Sequence, residues 1–191
     1  MKRIALFGGS FDPVHHGHLL VARAACEELG VSRVIFIPAS QSPFKPDRLM
    51  AAPEHRLAML RLSLAGWTNA EVDDREVRRG GVSYTVDTVR ELLAANPGSE
   101  LVCLIGADHV PTLPSWRDAH ALADLASFAA VPRPGQTPAP GPSPFRVTWL
   151  HGVPFGVSSS NIRERLRVGS SVDLLMDPAA ADYARRNRLY L

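Results

Sequence analysis

Short apolar runs alternate with stretches of helical periodicity along this chain, and that alternation limits its possible folds more than any other feature. RIALF (3–7), RVIFIP (33–38), ELVCLIG (100–106), SFAAVP (127–132) and FRVTWL (145–150) read as strands, and AEVDDREV (70–77) as a weaker one. Continuous apolar runs of this length suit strands covered on both faces, as in a parallel sheet. Between them, HLLVARAACEELG (18–30) sets Leu19, Ala22, Ala25, Cys26 and Leu29 at helical spacing and stops on Gly30. PEHRLAMLRLSLAG (53–66) carries Pro53 for a first helical turn. YTVDTVRELLAANPG (84–98) follows Ser83, a good N-cap, and closes on Asn96-Pro97-Gly98. The order implies an α/β fold, a doubly wound parallel sheet, with a C-terminal helical segment from Ser158 onward. RPGQTPAPGPSP (133–144) reads as a surface connection, because strand-like sequence resumes at once. No internal repeat appears, so residues 1–191 are expected to form a single domain.

Composition narrows the function classes. The formal net charge of +2 is too small to argue for a nucleic-acid partner. The basic run ARRNR (184–188) reads as a solvated helix face. Two cysteines, Cys26 and Cys103, each lie in an apolar segment, which fits small core thiols in a reducing compartment. No run approaches the roughly 18 apolar residues of a membrane span. The expectation is a soluble cytoplasmic protein with no membrane or nucleic-acid partner; the oligomeric state stays open, a homo-oligomer included.

The first strand runs into GGSFDPVHHGHL (8–19), at the carboxyl end of a strand where such sheets bind ligands. Gly8 and Gly9 let backbone N–H groups approach an oxyanion, Ser10 adds a hydroxyl, and a helix beginning near Gly17 aims its free N–H groups at the same spot. There is no G-x-x-x-x-G-K-[ST] and no G-x-G-x-x-G, so neither a P-loop nor a dinucleotide fingerprint is present. His15 and His18, three apart across the helix start, are placed to donate to phosphate oxygens and to stabilise charge growing during phosphoryl or nucleotidyl transfer. His16 reads as a loop residue. A metal site lacks a ligand set, since H-x-x-H here has neither the H-E-x-x-H spacing nor a nearby cysteine.

These residues resemble a known family. G-S-F-D-P-V-H-H-G-H-L is similar to the signature of the nucleotidylyltransferase superfamily, with His15-His16-Gly17-His18 as its H-x-G-H element. In motif order along nearly the whole chain, the sequence resembles the bacterial nicotinate mononucleotide adenylyltransferase family. VSSSNIRERL (157–166) is similar to its I-S-S-T-x-I-R element, and SYTVDT (83–88), IGADHVPTLPSWRD (105–118) and VPRPG (131–135) to its substrate-side segments. The resemblance implies a Rossmann-like nucleotidylyltransferase fold. It also implies a reaction, in which nicotinate mononucleotide attacks the α-phosphate of ATP, with Mg²⁺ on the ATP, to give nicotinate adenine dinucleotide and pyrophosphate. Carried over, Gly8, Gly9, Ser10 and Phe11 would lie along the nucleotide phosphates, and His15 and His18 would hold the α-phosphate, His18 as principal donor. Ser158, Ser159 and Arg163 would grip the β- and γ-phosphates; the same run also reads as a plain helix cap.

On the substrate side, Tyr84 and Thr85 sit at a helix start whose N–H groups favour a carboxylate over a neutral carboxamide. Trp116 would stack on the pyridine ring or simply pack in the core. Gly106 and Asp108 suit ribose hydroxyls, with a helix N-cap as the rival role for Asp108. Arg133 reads as a partner for a substrate phosphate or as a surface arginine. Lys45, in SQSPFKP, is expected to reach the ATP phosphates; Phe44 beside it departs from the family, which usually has a histidine there. Asp12 either orients the turn or faces Mg²⁺. Two other functions stay open: a sister transferase acting on pantetheine phosphate or a riboflavin nucleotide, and a non-catalytic nucleotide-binding module.

Overall fold

The computed structural model describes residues 2–44 and 50–191. In chain order it contains β1 (Lys2–Gly9), α1 (His16–Leu29), β2 (Arg33–Pro38), α2 (Pro53–Ser63), β3 (Ala70–Val72), α3 (Arg75–Arg79), α4 (Thr85–Ala95) and β4 (Ser99–Leu104). A 3₁₀ segment (Ala107–Ser115), α5 (Ala119–Leu125), β5 (Ser127–Ala130), β6 (Val147–Trp149), α6 (Ser159–Arg167) and α7 (Pro178–Arg186) follow. The strands form one sheet in the order β3-β2-β1-β4-β5-β6, every pairing parallel. Connections run outward in both directions from β1 and β4. The carboxyl ends of those two central strands therefore open a crevice that no crossover covers.

Alternation along the strands splits the core into two layers. Ile4, Leu6, Ile35, Ile37, Leu101 and Cys103 face one set of helices, and Ala5, Phe7, Val34, Phe36, Val102 and Leu104 face the other. Both faces are apolar, which is why these strands read as unbroken hydrophobic runs. Cys103 is buried and both thiols are free, and burial pushes the Cys103 thiol up to about 12. Among the described residues no helix is long and apolar enough to cross a membrane.

Several sequence expectations change at element ends. Only Ala70–Val72 of AEVDDREV pairs as a strand. Asp73 then accepts the Arg75 backbone N–H at 2.9 Å and its guanidinium at 2.6 Å, an Asx-type turn that starts α3 instead. Ser83 does not cap α4; Tyr84 occupies that position without a side-chain cap bond. The Ser83 hydroxyl oxygen accepts the Ser40 N–H at 3.0 Å, tying the loop after β2 to the start of α4. Helix α1 begins at His16, with His15 as its N-cap residue, and ends on left-handed Gly30 as expected. The C-terminal helical segment is two helices: Ser158 caps α6 by accepting the Asn161 N–H, and Asp177 caps α7. Helix α7 reaches back to α2 through a His55–Tyr183 hydrogen bond of 2.9 Å.

Candidate functional site

A cavity of about 700 Å³ lies at the carboxyl ends of β1 and β4. From the turn after β1 its wall takes Gly8, Gly9, Ser10, His15 and His18. From the other side of the switch point it takes Thr85, Gly106, Asp108, Trp116 and Arg133. The start of α6 supplies Ser158, Ser159 and Ser160. Five segments far apart in sequence thus meet around one space. Lys45 lies outside the described residues.

The turn is held from beneath. Phe11 takes a left-handed backbone (φ 45°), which swings its ring inward. That ring is 1% exposed, near edge-on to His18 at 5.0 Å and against Phe7 at 5.6 Å. Phe11 is therefore the floor under His18, not part of the cavity wall. His15 and His18 stack with centroids 3.7 Å apart. Gly17 makes this possible: a Cβ there would stand 3.0 Å from His15 Nδ1 and 3.1 Å from Val157.

The backbone N–H of His15 donates to His18 Nδ1 at 3.2 Å. With Nδ1 accepting, the neutral ring carries its proton on Nε2, the nitrogen left to act as a donor. Burial, followed by the positive fields of His16 and Arg133, lowers His15 to about 4. Burial and the neighbouring His15 hold His18 well below the usual histidine range. Both rings are thus neutral near pH 7, so their stacking brings no charge repulsion.

A buried network fixes the turn's geometry. Asp12, 0% exposed, accepts the Ala51 N–H at 3.1 Å and the Tyr190 hydroxyl at 2.9 Å. Asp12 thereby ties the turn to the approach to α2 and to Tyr190. Arg56, also buried, donates to the carbonyls of Ser10 (2.8 Å), Ala51 (3.1 Å) and Ser40 (3.4 Å). Arg163 donates to the Asp12 carbonyl at 2.7 Å and to the Ser160 hydroxyl at 3.0 Å. Ser159 donates its hydroxyl to the Pro13 carbonyl at 2.9 Å. Arg163, expected along the phosphates, is instead turned toward the loop before α1. Its side chain leans back over the first turn of α6, as helical side chains do, and meets Asp12 there. Sequence reasoning passed over Arg56, although its i, i+4, i+8 register with buried Leu60 and Leu64 marks a cation on a core-facing stripe.

On the far wall, Thr85 opens α4 at the cavity, while Tyr84 lies beside it with its ring 4.4 Å under the Arg117 guanidinium. Asp108 is inside the 3₁₀ segment, with Gly106 at the N-cap position, so the rival capping role falls away. Asp108 pairs with Arg133 across the mouth, both side chains more than half exposed. Trp116 donates from its indole N–H to Thr112 Oγ1 at 3.2 Å and sets its edge against Phe128. Two further wall residues were not singled out from sequence. His109 lies beside Trp116, and Glu76, buried, accepts the Thr88 hydroxyl at 2.6 Å. Burial raises the Glu76 carboxyl above the usual carboxylate range. Glu76 gave no sequence signal because α3 itself was read as strand.

Residues 6–165 match the family model described as cytidylyltransferase-like. A protein of Opitutus terrae named "Probable nicotinate-nucleotide adenylyltransferase" is 39% identical over 98% of this chain and 97% of its own length. One of Shouchella clausii with the same name is 40% identical over 100% of this chain and 97% of its own. The fold matches a Plasmodium falciparum nicotinic acid mononucleotide adenylyltransferase complexed with NaAD, with a TM-score of 0.77 at 18% identity over 100% of this chain and 98% of that one. Similarity of this extent, carried by sequence from end to end, makes the chain a member of the cytidylyltransferase-like family and, within it, of the nicotinate-nucleotide adenylyltransferases.

Proposed function

We infer that this chain joins ATP and nicotinate mononucleotide to give nicotinate adenine dinucleotide and pyrophosphate, an adenylyl transfer in NAD biosynthesis. The observation that carries the reading is His18, its Nδ1 engaged by the His15 N–H and its ring on the cavity wall beside the glycine turn and opposite the start of α6. A 5′-phosphate oxygen of the mononucleotide attacks the ATP α-phosphorus in line. The bond from that phosphorus to the bridging oxygen breaks, and pyrophosphate leaves with both electrons. No covalent enzyme intermediate is needed; alignment of two polyanions and neutralisation of the growing charge suffice.

In this reading Gly8, Gly9 and Ser10 line the phosphates, His15 and His18 donate to the α-phosphate, and the Ser158–Ser160 helix start receives the β- and γ-phosphates. Arg163 acts on the turn, through Asp12. Among the described residues no group of three His, Cys, Asp or Glu is placed to hold a metal ion. The divalent cation enters on the triphosphate, with MgATP as the substrate. Thr85 and the α4 N-terminus take the nicotinate carboxylate, and Asp108 the ribose. The free thiols Cys26 and Cys103 support a cytoplasmic location.

The test is pyrophosphate release with MgATP and either nicotinate or nicotinamide mononucleotide. Strong turnover on the acid and little on the amide is expected. Equal rates would remove the α4 carboxylate site, and no release with either would remove the reaction.

A further inference from the structure

Phe44 is 46% exposed and stands on the cavity wall. Its ring lies 5.4 Å from that of Trp116, tilted by 45°, and 5.2 Å from that of His109, tilted by 41°. All three rings line the cavity. Trp116 is held by Thr112 and Phe128, so the group has a fixed member and is not a chance contact of two mobile side chains. The loop carrying Phe44 is fastened at its base to the segment that begins α4, through the Ser40–Ser83 hydrogen bond and a parallel bridge between Gln41 and Val82. Phe44 and Thr85 are thus arms of one local structure: an anion-favouring helix start and an apolar ring held at a set distance from it.

We propose that Phe44 is a substrate-contacting residue whose ring, set with His109 and Trp116, forms an apolar wall for the pyridine of the mononucleotide, so that Phe44 itself serves recognition of the heterocycle. The inference rests on the function proposed above. Geometry fixes how the wall works. Stacking gaps of about 3.5 Å on both faces would need roughly 7 Å between flanking rings, so no planar ring enters between Phe44 and Trp116 at 5.4 Å. The pyridine meets Trp116 from the cavity side, and Phe44 meets its edge in the tilted geometry aromatic pairs prefer. A phenyl ring carries no donor or charge for a phosphate, and so its contribution falls on the base.

The experiment compares wild type, Phe44→Ala and Phe44→Tyr. KM is measured for nicotinate mononucleotide and for ATP separately, and the affinity for the mononucleotide is measured by calorimetry with no ATP present. For Phe44→Ala, KM and Kd for the mononucleotide are expected to rise about three- to tenfold, with the ATP KM unchanged and Phe44→Tyr close to wild type. A change confined to the ATP KM, or no change in either, overturns the proposal. Thermal unfolding at the wild-type temperature is expected of both variants, since the ring is half exposed. Wild-type turnover with an indifferent Phe44→Ala sinks this inference alone. Wild type that neither turns over nor binds the mononucleotide sinks the functional reading and this inference together.

Discussion

At the turn after β1, Asp12 is 0% and His15 8% exposed; side chains from α2 and α6 bond its backbone, and Tyr190, after α7, bonds the Asp12 carboxylate. Across the cavity, Asp108 and Arg133 have side chains 59% and 63% exposed and pair with each other in water. The turn is preorganised, and in the proposed reaction its donors would need no rearrangement when charge develops on a phosphorus. The far wall holds groups whose present partners a substrate can replace at little cost, because an exposed ion pair is worth about 0–1 kcal/mol. In the proposed reaction the turn would be a fixed centre for chemistry and the far wall an exchangeable surface for recognition.

Mutating the fixed centre tests that contrast most severely. His18→Ala is expected to lower kcat by about 10²–10³-fold in steady-state assays while leaving the fold intact. A loss confined to KM would mean that His18 binds without assisting the transition state.

Acid comes next. His15 has a folded value of about 4 against an ordinary 6.5. Its contribution to stability is therefore fully present above pH 6.5 and is lost progressively as pH falls toward 4, where the unfolded chain binds a proton that the native state refuses. That amounts to about 3 kcal/mol, and His18 acts in the same direction. Denaturant midpoints between pH 7.5 and 4 measure it, and His15→Gln should flatten the slope. An equal slope in that variant would assign the acid sensitivity elsewhere.

Gly17→Ala sharpens the comparison further. The added methyl sits 3.0 Å from the His15 ring, in a region where both that ring and Val157 are packed. Displacing His15 by a fraction of an ångström is expected to cost about 10- to 100-fold in turnover, with about 1–3 kcal/mol lost in thermal or chemical unfolding.

The smallest effect belongs to the exchangeable wall. Arg133→Ala should change stability by less than about 0.5 kcal/mol, since both partners are solvated. Its expected signature is a rise of a few-fold in KM for the mononucleotide, reduced at high salt. A stability loss like that of Gly17→Ala would show the two walls to be alike.

How much of this was legible in the sequence differs from element to element. β2 was readable to the residue, because Arg33–Pro38 is apolar on both faces and its neighbours are turns. The helix end at Gly30 was equally plain, since a left-handed backbone favours glycine. Residues 73–77 were misread. Val72 and Val77 look alike in composition, and the Asp73–Arg75 contact that breaks the strand depends on a side-chain geometry that no periodicity expresses. Gly8, Gly9, His15 and His18, singled out by type and spacing, all line the cavity. Arg163 was expected to grip the β- and γ-phosphates, but which group it meets depends on the packing of α6 against the turn.

The sequence by itself determined the alternation of strands and helices, the parallel sheet, and the donor-rich turn at the end of its first strand, because each follows from local period and residue chemistry. Tertiary structure alone decided that Arg56, Arg163 and Tyr190 would converge on Ser10 and Asp12. It alone decided that Phe44 would meet Trp116 and that His18 would have its Nδ1 engaged. Those contacts join segments up to 178 residues apart, and local pattern carries no information about which distant carbonyl or ring a side chain will reach once the sheet has folded.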